Sequence, residues 1–335
     1  MLKYALRRAL LALPLLWGVI TIVFVLIELS PGSYADKFVG EDTSPELRDA
    51  VCAKYRCDAP GIVRYVALLG SLARLDFGRS MAGDSPVFDL VLQALPNTLV
   101  LSGVTLAIAW PLGMALGTLQ AVRQSSRTDA TISVTSLGLA SMPTFWVAMM
   151  LQLLVSFYLG GWIQAHGGPA LLALPSSGMT DPVSYEYLTA GAQVLDRARH
   201  LVLPVVAMGL APTAAIARYM RSSMLEVIRQ DFVRTARAKG LREPAVIVRH
   251  ALRNALLPML TMLGMSLPAL FSGAVLVEMI FAWPGVGSLI LRAVLSQDTP
   301  LVIACFFVST CLVVAGNLAA DLACAAADPR IRLDA

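Results

Sequence analysis

The chain has 335 residues, 57% of them hydrophobic and only 14% charged, with a mean hydropathy of +0.71. Soluble domains carry about 25% charged residues, so the composition excludes a water-soluble globular protein and points to an integral membrane protein. The formal net charge of +4 does not mark a nucleic-acid partner, because the basic residues gather at the ends of apolar stretches, where membrane topology requires them.

Lys3, Arg7 and Arg8 open the chain and precede an apolar run from Ala9 to Leu29. That run is longer than the roughly 7–15 residues of a signal-peptide core and suits a bilayer span. With no A-x-A cleavage site before Pro31-Gly32, it reads as a retained first helix with its N-terminus inside. Five more apolar segments, near 95–122, 132–159, 201–221, 257–281 and 301–324, are long enough to cross a bilayer as helices, about 20 residues or more each. Pro111, Pro143, Pro204, Pro212 and Pro268 lie in or beside these segments and suggest kinks.

Residues 30–94 carry seven basic residues (Lys37, Arg48, Lys54, Arg56, Arg64, Arg74, Arg79) and nine acids (Asp36, Glu41, Asp42, Glu46, Asp49, Asp58, Asp76, Asp84, Asp89). The segment is too long for a plain connector. A cap signal at Thr43 or Ser44 with Pro45, and an amphipathic stretch from Pro60 to Leu75, predict two helices in a small extracytoplasmic cap. Cys52 and Cys57 lie here, where an oxidising compartment leaves open either a bridge or two free thiols. Cys305, Cys311 and Cys324 lie in or next to an apolar run and read as packing residues.

Between the fourth and fifth segments lies a cationic stretch. Arg218, Arg221, Arg229, Arg234, Arg237, Lys239, Arg242, Arg249 and Arg253 face only Glu226, Asp231 and Glu243. The positive-inside rule puts this stretch, the 123–131 loop and both termini in the cytoplasm. Residues 229–239 are compatible with a helix, Gly240 can end it in a tight turn, and Pro244 suits the start of a second helix over 245–256. On charge alone such a segment could hold anionic membrane lipid; the Gly240 turn and Leu257-Pro258 favour docking to another protein.

The stretch Arg234-Thr-Ala-Arg-Ala-Lys-Gly240 followed by His250-Ala-Leu-Arg-Asn-Ala-Leu-Leu-Pro258 resembles the cytoplasmic EAA loop of bacterial ABC-importer permeases, in the form used by the dipeptide/oligopeptide/nickel branch. Leu95-Pro-Asn-Thr98, Ser141-Met-Pro-Thr-Phe-Trp146, Arg221-Ser-Ser-Met-Leu-Glu226, Phe281-Ala-Trp-Pro-Gly-Val-Gly287 and Asp328-Pro-Arg-Ile-Arg332 extend the likeness over nearly the whole chain. Its detail is nearest the first permease subunit of dipeptide importers. Where the general EAA pattern opens with Glu this chain has Arg234, and the branch's Pro-Gly-Asp after the first span reads Pro31-Gly32-Ser33.

The resemblance implies an all-α inner-membrane permease of a bacterium, with six spans, both termini cytoplasmic, a cap over 30–94, a core over 95–325 with a coupling loop over 222–256, and a tail over 326–335. It implies that Arg234, Thr235, Ala236, Arg237, Ala238, Lys239 and Gly240 dock on an ATPase subunit, with Ala236 and Ala238 small enough for close approach. His250, Arg253, Asn254 and Pro258 support that docking. The implied partners are a paralogous second permease, two ABC ATPase subunits and an extracytoplasmic substrate-binding protein. ATP and Mg belong to the ATPase subunits, since the chain has no Gly-x-x-x-x-Gly-Lys-Ser/Thr loop; no cofactor, metal site or bond chemistry is expected of the chain itself. The cargo implied is a dipeptide or oligopeptide, with nickel, glutathione or another small solute as alternatives. A stand-alone secondary transporter is the reading from another class. Glu278 either faces the pathway or sits at the membrane interface, and Met142 and Trp146 either line it or pack.

Overall fold

The computed structural model describes residues 2–30, 44–46, 49, 52–53, 56, 59–81, 83, 85–169 and 172–327. Pro31-Gly32-Ser33, Cys57, most of the first predicted cap helix and the Asp328–Arg332 stretch lie outside the described residues. Among those described, regular structure is helical apart from one isolated antiparallel bridge between Arg79 and Pro86. The helices are α1 Leu2–Leu29, α2 Gly61–Ala73, α3 Val87–Val122, α4 Arg127–Ser141, α5 Thr144–Leu151, α6 Gly160–Ala165, α7 Ala190–Ile228, α8 Asp231–Ala238, α9 Glu243–Ala245, α10 Arg253–Ile280, α11 Val286–Leu295 and α12 Thr299–Ala327. Two π-helical stretches, Gln152–Leu159 and Val246–Leu252, join α5 to α6 and α9 to α10.

Four helical stretches among the described residues are apolar and long enough to cross a bilayer: Val87–Val122, Thr144–Ala165, Ala190–Ile228 and Thr299–Ala319. The other two expected segments, 9–29 and 257–281, fall in α1 and α10, each 28 residues long. The expected span 132–159 is not one helix. It breaks at Met142 and Pro143, which are extended (ψ 131° and 133°), because a proline drives the residue before it out of the helical region and has no N–H for the helix ladder. Pro204 and Pro212 lie inside α7 without ending it, as neighbouring elements in membranes allow. At 39 residues, α7 is about 58 Å long by its rise per residue, well beyond the roughly 30 Å of a hydrocarbon core.

The chain forms two compact units. One comprises residues 5–98 and 284–315. Its core gathers Ile20 and Phe24 of α1, Leu68 and Leu72 of α2, Phe77, Val87 and Val91, and Leu289, Ala293, Leu301, Ala304 and Cys305. The amphipathic stretch predicted after Pro60 is α2, tied to α1 by an Arg64–Glu28 ion pair and by a Tyr65–Thr21 hydroxyl contact of 2.6 Å. Two motifs far apart in sequence meet here: Asn97 Nδ2 donates to the Pro284 carbonyl at 2.8 Å, and the Val286 N–H donates to Thr98 Oγ1 at 2.8 Å, so Pro-Asn-Thr caps the start of α11. Asp298 is fully buried. It accepts from Ser80 Oγ, from the Met81 N–H at 3.0 Å and from the Leu301 N–H at 3.2 Å, capping α12 and pinning the segment before α3. Cys52 is disulfide-bonded, while Cys305 and Cys311 are free thiols.

The other unit spans 99–283 with both chain ends. Two apolar clusters fill it, one around Leu101, Ala148, Leu203, Met208, Val277, Phe281 and Trp283, the other around Trp110, Ile216, Met220, Met224, Ala251 and Met259. Gly113 and Gly117, a Gly-x-x-x-Gly pair on α3, sit against α7. A Cβ on Gly113 would lie 2.7 Å from the Ile216 side chain, and one on Gly117 would lie 2.3 Å from the Ala217 carbonyl oxygen. Small residues at this spacing let membrane helices approach at backbone distance.

This packing yields a paired prediction. Gly117→Ala forces α3 off the α7 backbone and destabilises the purified protein by about 1–3 kcal/mol, the usual cost of overpacking. Gly103→Ala, on the same helix with nothing within 4 Å of its Cβ, is neutral or stabilising by up to about 1 kcal/mol. Thermal unfolding in detergent distinguishes them. A second measurement concerns Cys52: alkylation with mass detection will label it only after reduction.

Candidate functional site

The cationic stretch folds as a bent arm between α7 and α10. Its first helix does not start at Arg229, as the sequence suggests. Instead α7 continues to Ile228, the chain turns at Arg229-Gln230, and α8 opens at Asp231. The turn after α8 is closed by N–H donors of Gly240 to the Arg237 carbonyl (2.9 Å) and of Leu241 to the Ala236 carbonyl (3.4 Å). Gly240 has φ +79°, where a side chain is unfavourable and glycine is not. Glu243 and Pro244 open α9, where a missing proline N–H is harmless. No new helix start follows at 253: the π-helical stretch runs from α9 straight into α10. The arm is thereby joined to α10 by continuous helix.

The arm has a core of its own. Val233, Ala236 and Val246 are buried together, with Val227 against them. The Val233–Ala236 spacing places both on one helical face. The cations lie outside, with Arg234, Arg237, Lys239, Arg242, Arg249 and Arg253 exposed. Arg237 forms a bidentate pair with Glu243 (2.6 and 3.1 Å) across the Gly240 turn. The Arg237 hydrogen bond holds the Glu243 carboxyl below its usual value. Both partners are more than one-third exposed, so the pair orders the turn while contributing no more than about 1 kcal/mol.

Of the docking residues expected from sequence, Arg234, Thr235, Arg237, Ala238, Lys239 and Gly240 are exposed, whereas Ala236 turns inward. Its small size is used inside the arm's own core. His250 is half-buried on the π-helical stretch. Arg253, Asn254 and Pro258 are exposed, with Asn254 Nδ2 bonded to the His250 carbonyl at 2.8 Å. The pathway candidates are scattered: Glu278 is fully buried on α10, while Met142 and Trp146 are exposed at and after the helix break. None of the three lines the cavity of about 710 Å³ in this unit.

Sequence reading missed the anchor of the arm. Arg221, two turns before the end of α7, makes a bidentate pair with Asp129 at 2.8 Å on both bonds. Asp129 is buried on the first turn of α4 and also accepts the Ser125 N–H at 3.0 Å, while its own N–H bonds to the N-cap Ser126 at 3.3 Å. The Arg221 hydrogen bond, reinforced by the Ser125 N–H, lowers the Asp129 carboxyl from 3.8 to about 2. Part of the signal was present: Ser126-Arg-Thr-Asp129 reads as a capping box and Gly113/Gly117 as a close-packing pair, but neither names Arg221 as the partner of Asp129.

The family model described as "Binding-protein-dependent transport system inner membrane component" matches residues 109–333, which include the arm, the anchor and the cavity. The chain belongs to this family. It is 38% identical over 333 residues, 99% of both chains, to the oligopeptide transport system permease protein AppB of Bacillus subtilis (strain 168). It is 37% identical over 337 residues to the di/tripeptide transport system permease protein DppB of Pseudomonas aeruginosa (strain UCBPP-PA14), and 34% identical over 339 residues to the dipeptide transport system permease protein DppB of Escherichia coli (strain K12). Each of these two alignments covers 99% of both chains. An inner-membrane component of this family agrees with the apolar composition and with the resemblance read from the arm.

The arm and its anchor respond differently to substitution. No atom lies within 4 Å of a Cβ on Gly240, so Gly240→Ala meets no clash and costs only the left-handed backbone penalty, about 1–2 kcal/mol, with Gly240→Val worse. Asp129→Asn destabilises by about 1.5–3 kcal/mol at neutral pH, the worth of charge-assisted hydrogen bonds. Because the folded value of Asp129 lies below its ordinary 3.8, this stabilisation is complete above pH 3.8 and disappears as pH falls through about 2. Thermal unfolding across pH will therefore show the wild-type advantage over Asp129→Asn shrinking in that acid window.

Proposed function

We propose that this chain is one permease half of an ATP-driven importer that carries dipeptides or oligopeptides handed over by an extracytoplasmic binding protein. The observation that carries this reading is the arm: an exposed cationic helix–turn–helix, built on its own small core and continuous with α10, in a member of a binding-protein-dependent transport family. A structured arm of this kind suits a protein groove better than a lipid surface, for which loose cationic chain is sufficient. The relatives whose names specify oligopeptide, di/tripeptide or dipeptide transport align over 99% of this chain, which supports peptide as the cargo.

On this reading six helices span the inner membrane, counted as α1, α3, the broken α4–α6, α7, α10 and α12. Both termini and the 222–256 loop face the cytoplasm, and the 30–94 region receives the binding protein. Arg234, Thr235, Arg237, Ala238, Lys239 and Gly240 meet the ATPase subunit, with His250, Arg253, Asn254 and Pro258 behind them. The chain itself carries out no bond chemistry. ATP and Mg bind the two ATPase subunits, and their closure pushes the arm. A paralogous second permease completes the pathway.

Reconstitution tests this. The chain will co-purify with two ATPase chains, and proteoliposomes of the complex will take up labelled di- and tripeptides only with the binding protein present and ATP being hydrolysed. Uptake driven by an ion gradient without ATPase chains overturns the reading. In intact cells a membrane-impermeant amine reagent will leave Lys239 unmodified, and the same reagent will reach it in inside-out vesicles.

A further inference from the structure

The cavity of about 710 Å³ lies between the π-helical stretch Gln152–Leu159, the segment 173–181 and the first turns of α7. Its volume falls within the roughly 300–1,000 Å³ of small-molecule sites. Its position is at the far end of α7 from the arm: Asp196 and Ile228 are separated by about 48 Å of helix at 1.5 Å per residue.

The cavity wall is built by side chains. Gln152 Nε2 donates to the Ser176 carbonyl at 2.8 Å, Ser156 Oγ to the Pro175 carbonyl at 3.1 Å, and an Arg199 guanidinium nitrogen to the Ala173 carbonyl at 2.6 Å. These three bonds hold the 173–176 segment against two helical elements. The π-helical geometry of one wall is a feature that recurs at functional sites.

The lining divides by chemistry. Met149, Leu153 and Phe157 offer apolar surface, and Asp181, Asp196, Arg199 and His200 bring charge of both signs. Asp196 and His200 are buried. One Asp196 carboxylate oxygen accepts the Asp181 N–H at 2.9 Å and the other lies 3.5 Å from His200 Nδ1. Asp181 accepts the N–H groups of Val183 (2.9 Å) and Ser184 (2.8 Å), which hold its carboxyl below the usual range and keep it an anion. Fixed charges of both signs beside a greasy surface match a short zwitterion with an apolar side chain: an ammonium for the carboxylates, a carboxylate for the guanidinium.

We infer that this cavity is a subsite for the peptide in transit, with its ammonium end toward Asp181 and Asp196, its carboxylate end toward Arg199, and its side chain against Met149, Leu153 and Phe157. The inference rests on the peptide-importer reading.

The test uses the complete importer in proteoliposomes with its binding protein, and measures uptake of radiolabelled dialanine, uptake of radiolabelled N-acetyl-dialanine and ATP hydrolysis. The same binding protein presents every peptide, so a difference between variant and wild type belongs to the permease. Asp181→Asn keeps the acceptor oxygen that bonds Val183 and Ser184 and removes the charge; Ser156→Trp fills the cavity. Both variants are expected to keep binding-protein-stimulated ATP hydrolysis while dialanine uptake falls about tenfold. For Asp181→Asn, uptake of the acetylated peptide, which has no ammonium, falls far less. If Asp181→Asn takes up both peptides at wild-type rates, or loses both equally, the cavity is not the subsite, although the importer reading stands. If the wild-type complex takes up no peptide, both readings fall.

Discussion

The close approach of α3 to α7 is the constraint from which the rest of the arm's geometry follows. Gly117 rests on the backbone at Ala217 and Arg221, so α7 cannot rotate or slide there without a backbone clash. At the same point the Arg221 side chain leaves α7 for Asp129. Steric contact and a bidentate charge pair thus both hold α7 at Arg221. The chain emerging two turns later therefore leaves from a fixed point, and the arm it forms has a defined direction. Without that anchor an exposed cationic segment would be a tether; with it, the segment leaves α7 in a fixed direction, as the proposed docking to an ATPase subunit requires.

Charge and hydropathy made the membrane class and the placing of most helices legible, because burial in lipid leaves few backbone solutions and basic residues mark the ends. The Gly240 turn was legible for a similar reason: few residues take φ +79°, and one glycine stood between two helix-compatible runs. Three features were not legible. The break at Met142-Pro143 looked like a kink within one helix, because proline does not always end a membrane helix, and Pro204 and Pro212 lie inside α7 without ending it; which outcome prevails depends on the neighbours. The burial of Ala236 needed the partner residue Val246, from the far side of the turn. The Asp129–Arg221 pair spans 92 residues, a distance at which no local periodicity carries information.

Polar residues to which sequence reading assigned no structural role share one. Asp129, Asp298, Asn97 and Thr98 each satisfy backbone N–H groups or carbonyls where a helix begins or a segment ends. Four N–H groups at every helix start lack intrahelical partners, and in an apolar environment leaving them bare is costly. Short acidic and amide residues beside apolar spans are therefore better read first as caps, and only then as ion relays. Glu278, fully buried in the last turn of α10, is a different case, since it lies at a helix C-terminus, where carbonyls rather than N–H groups lack partners.

The same reasoning separates the two ends of α7. At the arm end, the charges are exposed cations arranged on a small apolar core. Exposed charge in water is cheap to keep and cheap to rearrange, which suits the docking proposed for the arm. At the cavity end, charges of both signs are partly or wholly buried and fixed by backbone hydrogen bonds. Buried charge held in this way is pre-organised, and pre-organisation favours recognition of a defined small solute over contact with a large, yielding surface. One continuous helix about 58 Å long by its rise per residue thus carries exposed cations near one end and partly or wholly buried charges of both signs near the other. Three side-chain bonds hold the 173–176 segment to both α7 and the Gln152–Leu159 stretch, so the shape of the cavity is tied to how these two elements pack.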